Sequence, residues 1–178
     1  RLSYMNLLQR YRYSTAAEEH KYSNIDSLSI SKVAVIDGLW FCGRRDIMLN
    51  YAFDQNLLTK FHGYDIDISL FIGQHYDICV TFGVLLTHFS EGNYKKEWVK
   101  ETLLVQKKWE HILPVNKAGL NIAESTMCEK FAFKYFVNTM RKSGFSSYSC
   151  IKVLNNSMLR EKFGWLLYAR LLIKCLSA

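Results

Sequence analysis

Asp65 and Asp67 stand one residue apart in FHGYDIDISLFIGQHYDI (61–78), with His62 just upstream and mostly apolar neighbours. Carboxylates and an imidazole are the groups that general acid/base chemistry uses near neutral pH, the base taking a proton from a hydroxyl as it attacks. Spacing decides whether two such groups act as one. Read as a strand, Ile66, Ile68, Leu70 and Ile72 alternate and place Asp65, Asp67 and Ser69 on a wet face. Read as a helix, Ile68, Phe71, Ile72 and His75 fall at i, i+3, i+4 and i+7. On a helix, residues i and i+2 point in different directions, so the aspartates cannot share a proton. One of them at most does chemistry, and the other is structural. A carboxylate in the first helical turn accepts backbone N–H bonds and complements the helix dipole, worth about 0.5–2 kcal/mol as a cap.

The elements that must hold these groups are legible around them. Val33–Ile36 reads as a short β-rich run broken at Asp37-Gly38, and CGRRDIMLNYAFD (42–54) then reads as a turn and a short helix. Ile78, Val80, Phe82 and Val84 alternate in a strand that runs on to Thr87-His88. Residues 1–30 read as a polar, aromatic lead-in lying on the surface, SNIDSLS being rich in turn formers. Beyond Gly92 the pattern is helical: about Tyr94–Ile112, stopped by Pro114, then about Leu120–Arg141, then about Cys150–Ser177. The last segment holds too many large apolar residues for one stripe, so it is expected to cover more than one face. The chain reads as α/β in front and helical behind, with a boundary between 1–112 and 113–178.

At 178 residues and 49% apolar content, the chain can bury a sizeable core. Five cysteines far apart, with no CxxC pair and no Cys/His cluster at zinc spacing, suit a reducing compartment. No apolar run reaches the roughly 18 residues of a spanning helix. The net charge of +7 favours an acidic partner without naming one. Tyr94–Lys108 carries five lysines, which fit the solvated face of an amphipathic helix. No nucleic-acid-binding motif is present.

The order Asp37-Gly38, GRRDIM, FDQ, FHGYDIDISL, YDICV and LLTHFS, from Val33 to about Trp109, resembles the second half of family 2-type inverting glycosyltransferases of the GT-A fold. It is most similar to the bacterial branch resembling the streptomycin-biosynthesis glycosyltransferase-like domain. The resemblance implies a partial GT-A-like fold, a few strands of a mixed sheet with flanking helices, followed by a C-terminal helical segment. It assigns Asp65 as the base that activates the acceptor hydroxyl. Asp67, Trp40, Phe41, Gly38 and Tyr64 would form the acceptor site, with aromatic faces suited to the C–H faces of sugar rings. Arg44, Arg45 and His88 would lie near the departing diphosphate. His62 would orient Asp65 or stand in a loop. The acidic motif departs from the family's usual Glu-Asp, since Tyr64 precedes Asp65. The nucleotide-binding half with its metal-holding DxD is not read in this chain, so the chain is expected to be the acceptor-side portion of a larger enzyme.

The partners implied are a nucleotide-sugar donor, a carbohydrate or lipid-linked acceptor and a divalent cation, Mg or Mn, in the complete enzyme. The chain alone is expected to bind neither donor nor metal tightly, and no nucleic acid. Its expected place is the cytosol, with peripheral contact at the inner membrane face and self-association through the C-terminal helices left open. The competing reading is a non-catalytic helical interaction module. Convergence of Asp65, Arg45 and His88 on one cleft would favour the enzyme; their scattering would favour the module.

Overall fold

The computed structural model describes residues 3–11, 13, 15–90 and 96–176. Among the described residues it is a mixed α/β structure with a small mixed sheet, a two-stranded ribbon and six helices. Two compact units are distinguished, 3–90 with 101–119 and 96–100 with 120–176. Each is described by itself.

In the first unit, β1 (Met5–Arg10) pairs antiparallel with β2 (Glu19–Ser23), Leu7 opposite Lys21, and parallel with β5 (Leu86–Phe89), Leu7 opposite Leu86. The lead-in read from residues 1–30 therefore contains two strands. Their alternation is hidden because polar side chains on both faces of β1 hydrogen-bond, one of them buried. Gln9 is buried, and its amide donates to the carbonyls of His88 at 3.1 Å and Ser90 at 2.9 Å. Asn6 donates to the Phe82 carbonyl at 2.9 Å. These bonds satisfy groups whose burial would otherwise cost about 1–3 kcal/mol each.

The single strand expected over 78–87 is two strands in different sheets. β4 (Ile78–Thr81) pairs antiparallel with β3 (Ile30–Val33), Ile30 opposite Thr81, while β5 joins β1. The bend between β4 and β5 includes Gly83, whose N–H is held by Thr81 Oγ1 at 3.2 Å. The β3 ladder also begins earlier than the run Val33–Ile36 suggests, at Ile30.

The remaining elements of this unit carry the candidate site. The short helix α1 (Arg45–Met48) follows the Asp37–Arg44 loop. Helix α2 (Tyr64–Ile72) settles the helix-or-strand ambiguity, although its β-branched isoleucines locally favour a strand. Packing on two sides overrides that preference. Leu70 is buried in a cluster with Val105 and Trp109, with Leu58, Ile66 and Ile112 against it, and Ile68 is buried on another side. Val105 lies in α3 (Lys96–Lys108), whose first five residues belong to the second unit and the rest to the first. The boundary expected at 112/113 thus gives way to an interleaved division.

In the second unit, α4 (Ile122–Lys142) begins with a capping box, Asn121 and Glu124 each accepting the other's backbone N–H at 3.0 Å. The helix expected over 150–177 is two, α5 (Ser147–Asn155) and α6 (Leu159–Leu176), parted at Asn156-Ser157. Gly164, at φ 80° and ψ 173°, breaks the helical backbone inside α6. Leu167, Leu171 and Cys175 are buried at four-residue spacing, the stripe on which α6 packs. No helix among the described residues is long and apolar enough to cross a membrane.

Candidate active site

Helix α2 starts at Gly63, whose φ of 75° suits glycine and whose missing Cβ leaves room for Val105, 2.9 Å from where it would stand. Glycine is the N-cap residue, with no side-chain cap bond, so neither aspartate acts as the cap. The aspartates diverge as i and i+2 on a helix must.

Asp65 turns toward the Ile36–Gly38 segment. Its Oδ2 accepts the Gly38 N–H at 3.0 Å and its Oδ1 accepts the Ile66 N–H at 2.9 Å. Ser69, one turn on, donates to the Asp65 carbonyl at 2.6 Å and accepts the Ile36 N–H at 3.2 Å. Tyr64 Oη donates to the Gly38 carbonyl at 3.3 Å. Gly38 permits this approach: a Cβ there would stand 2.1 Å from the Tyr64 hydroxyl. One glycine peptide thereby fixes both the candidate base and its tyrosine neighbour. Desolvation lifts the Asp65 pKa above the ordinary aspartate value, the two backbone N–H bonds oppose the rise, and nearby Asp37 adds to it. Burial likewise raises the Tyr64 phenol, with the Asp65 and Asp37 charges adding.

Asp67 turns the other way and is fully buried, at 0% exposure. Its Oδ1 accepts Trp109 Nε1 at 2.6 Å, and its Oδ2 accepts Tyr51 Oη at 2.5 Å and Lys108 Nζ at 3.0 Å. Lys108 also reaches Asp54 at 3.0 Å. Burial works against the Lys108 charge, yet its hydrogen bonds to Asp67 and Asp54 outweigh this and its pKa rises. The lysine bond in turn holds Asp54 below the usual carboxylate value. Asp67 is thus a structural knot that ties α2 to α3 and to the Tyr51 loop. With its carboxylate buried and engaged by three side chains, it presents no surface to an acceptor, which corrects both the capping and the acceptor-binding roles expected of it.

Glu101 is a functional-looking residue that the sequence reading passed over. It is 3% exposed, and its carboxylate takes the backbone N–H of Lys60 at 2.6 Å and of His62 at 2.9 Å. Between those two amides Phe61 is held at φ 61° and is 81% exposed. A left-handed backbone costs an L-residue roughly 1–2 kcal/mol. The Glu101 grip is what sustains it. Phe61 stacks obliquely on Tyr64, centroids 5.1 Å apart, and Phe53 meets the same tyrosine at 6.1 Å. The available signal in sequence was a lone Glu one helical turn from Glu97 on a lysine-rich helix, which is indistinguishable from a surface charge.

The other expected site residues are distributed more widely. Trp40 is half-exposed two residues beyond Gly38. Phe41 and Arg44 line a second cavity of about 310 Å³ with Ile47, Ile72 and Tyr76. Arg44 pairs with Asp46 at 2.6 Å, both side chains exposed, and Arg45 is exposed at the start of α1. His88, in β5, bonds Gln9 through Nδ1 at 3.0 Å. None of Arg44, Arg45 and His88 hydrogen-bonds or ion-pairs with Asp65 among the described residues. His62 is held by its backbone in the Glu101 loop. No group of three or more His, Cys, Asp or Glu among the described residues is arranged to hold a metal ion.

A groove of about 660 Å³ lies beside the Asp67 knot, lined by Asn50, Phe53, Gln55, Asn56 and Phe71 among others. Aromatic rings, amide side chains and the Asp54–Lys108 pair line it, a set that offers both apolar faces and hydrogen-bonding groups to a ligand. No protein-family model, curated protein or solved structure matches this chain.

Proposed function

We propose that this chain carries the acceptor-binding and catalytic-base portion of an inverting nucleotide-sugar-dependent glycosyltransferase of GT-A type, with Asp65 as the base. The observation that carries the reading is the Asp65 carboxylate itself. It is half-desolvated, held by one N–H on each oxygen, and set beside the tyrosine on which Phe53 and Phe61 converge. Each oxygen keeps a lone pair with which to accept a proton.

In the transfer, the acceptor oxygen bonds to the anomeric carbon as the bond from that carbon to the diphosphate breaks on the opposite face. The acceptor proton passes to Asp65. General-base help of this kind contributes about 10²–10⁴-fold, and the raised pKa of Asp65 brings it closer to the operating pH. Trp40 and Phe53 flank the acceptor position in this reading, and Tyr64 shapes its floor. Arg44 and Arg45 make no bond to Asp65 and are assigned in this reading to phosphate or acceptor groups. The test is sugar transfer by the full-length protein with Asp65→Asn, which should abolish most turnover while leaving the fold intact.

A second reading, a helical interaction module, is favoured by the lack of any bond joining Arg45 or His88 to Asp65 among the described residues, and by one feature of α6. After Gly164, Trp165, Leu166, Ala169, Ile173 and Leu176 fall within an arc of about 100° at 3.6 residues per turn. Trp165, Leu166 and Ile173 are each about two-thirds exposed. Arg170 and Lys174 are exposed along the adjoining arc, and no acidic residue occurs between 162 and 176. An apolar stripe with a basic flank is the pattern of a helix lying in an anionic lipid surface. This surface supplements the glycosyltransferase reading as a means of peripheral attachment, and it stands alone should Asp65 prove inert.

A further inference from the structure

The rings beside Asp65 continue into a row. From Phe61 the centroid steps are 5.1 Å to Tyr64, 6.1 Å to Phe53, 5.3 Å to Tyr51 and 5.1 Å to Phe71. Phe61, Phe53 and Phe71 are each exposed, three large apolar side chains joined through Tyr64 and Tyr51 into one connected set. Tyr64, its second ring, donates to the carbonyl of Gly38, whose N–H holds Asp65, and Phe71, its last ring, lines the groove with Asn50, Gln55 and Asn56.

Resting on the glycosyltransferase reading, we infer that this row is the binding track for an oligosaccharide acceptor of two or more pyranose rings, its reacting end at Asp65 and its other end in the Phe53–Phe71 groove. A single sugar covers about one aromatic face, and four ring-to-ring steps provide for more than one. The chemistry on both sides agrees. The C–H faces of pyranoses seat on aromatic rings, and the amides of Asn50, Gln55 and Asn56 offer donors and acceptors to hydroxyls. A purely apolar occupant would leave these amides without use, and in the groove the cation Lys108 is already shared between Asp54 and Asp67, while the exposed Lys60 stands beside Phe61 at the other end of the row. Phe61 is a positioning element of the track. Glu101 fixes both its flanking amides, so the exposed ring is presented rather than left to fold back.

The experiment is a titration of the chain, followed in the aromatic region of its NMR spectrum. The probes are cellotriose, maltotriose, mannotriose and β-1,4-galactotriose, each beside its own monosaccharide. At least one trisaccharide is expected to move the Phe61, Tyr64 and Phe53 signals and to bind at least about 10-fold more tightly than its monosaccharide, as linked sites do. Phe61→Ala removes an exposed side chain and should weaken that binding by about 2- to 12-fold, the range of a single aromatic contact. Phe71→Ala should weaken the trisaccharide and leave the monosaccharide unchanged. No shift with any of the four trisaccharides, equal affinity for one ring and three, or parental affinity in both variants would overturn the track. Binding needs neither donor nor transfer, so failure here leaves the role of Asp65 standing, and an inert Asp65 leaves a measured track in place.

Discussion

Asp65 and Asp67, two positions apart on α2, bond in opposite directions: Asp65 to the Gly38 N–H at 3.0 Å and Asp67 to Trp109 Nε1 at 2.6 Å. The first carboxylate remains partly open, and the second is sealed. Their division of labour follows from that geometry, and each half of it can be measured.

Asp67 should govern stability. Asp67→Ala leaves the Trp109 and Tyr51 donors without their acceptor and strips Lys108 of one of its two carboxylates. Breaking a buried pair of this type costs about 3–5 kcal/mol. Tyr51→Phe, which removes one hydrogen bond, should cost about 1 kcal/mol. Denaturant melts of both variants check the ranking; an Asp67→Ala protein as stable as the parent would show that the knot contributes nothing.

Asp65 and Asp54 should titrate on opposite sides of the ordinary aspartate value, as read from their side-chain carboxyl carbon shifts in NMR. Asp65 lies above it through desolvation, and Asp54 lies below it through its bond to Lys108. The signs for stability differ accordingly. The folded form holds the Asp65 proton more tightly than the unfolded form, so its contribution is full below the unfolded pKa and is lost as pH rises through the folded one. Asp54 contributes above its unfolded pKa and loses that contribution as pH falls through its lower folded value. Finding Asp65 at or below the ordinary value would remove the electrostatic support for its role as a base.

Gly38→Ala should act at a distance from any lost charge. Its Cβ would stand 2.1 Å from the Tyr64 hydroxyl, so the ring must move away from the Gly38 peptide that also holds Asp65. Overpacking of this order costs about 1–3 kcal/mol. A lowered melting temperature together with reduced transfer is the expected result, and Tyr64→Phe in the same background, which removes the hydroxyl, should recover part of the stability.

The exposed stripe on α6 should bring the protein to anionic vesicles. Flotation with phosphatidylserine-containing liposomes should carry the chain up at low salt and release it as salt rises, since the flanking Arg170 and Lys174 supply screened attraction. Trp165→Ser should lower the floated fraction. A protein that ignores such vesicles while remaining monomeric in sedimentation would leave the membrane and oligomer readings without support.

What the sequence made legible was periodic or punctuated. The helical character after Gly92 was legible because apolar spacing and the stop at Pro114 mark it, although the last expected helix is two, α5 and α6. The opposed directions of Asp65 and Asp67 followed from helical geometry alone. The hairpin of β1 and β2 escaped because the buried position in β1 is held by Gln9, a hydrogen-bonding residue, and Asn6 on the other face also bonds a carbonyl, so hydropathy does not alternate. The split between β4 and β5 escaped because a bend at Gly83 interrupts an apolar pattern that reads as continuous. The engagement of Asp67 by Tyr51, Lys108 and Trp109 joins residues 16, 41 and 42 positions away. No local pattern encodes such a contact. Glu101 was hidden for the same reason, its partners being two backbone amides near residue 61.

The most direct measurement is sugar transfer by the full-length protein carrying Asp65→Asn or Asp67→Asn, with melting temperature and donor affinity determined for both. Asp65→Asn is expected to fold and bind donor as the parent does while turnover falls by about 10²-fold or more, the scale of a lost general base. Asp67→Asn is expected to lose stability first and turnover only in proportion to the unfolded fraction. Parental turnover in a folded Asp65→Asn protein would contradict the assignment of Asp65 as the catalytic base.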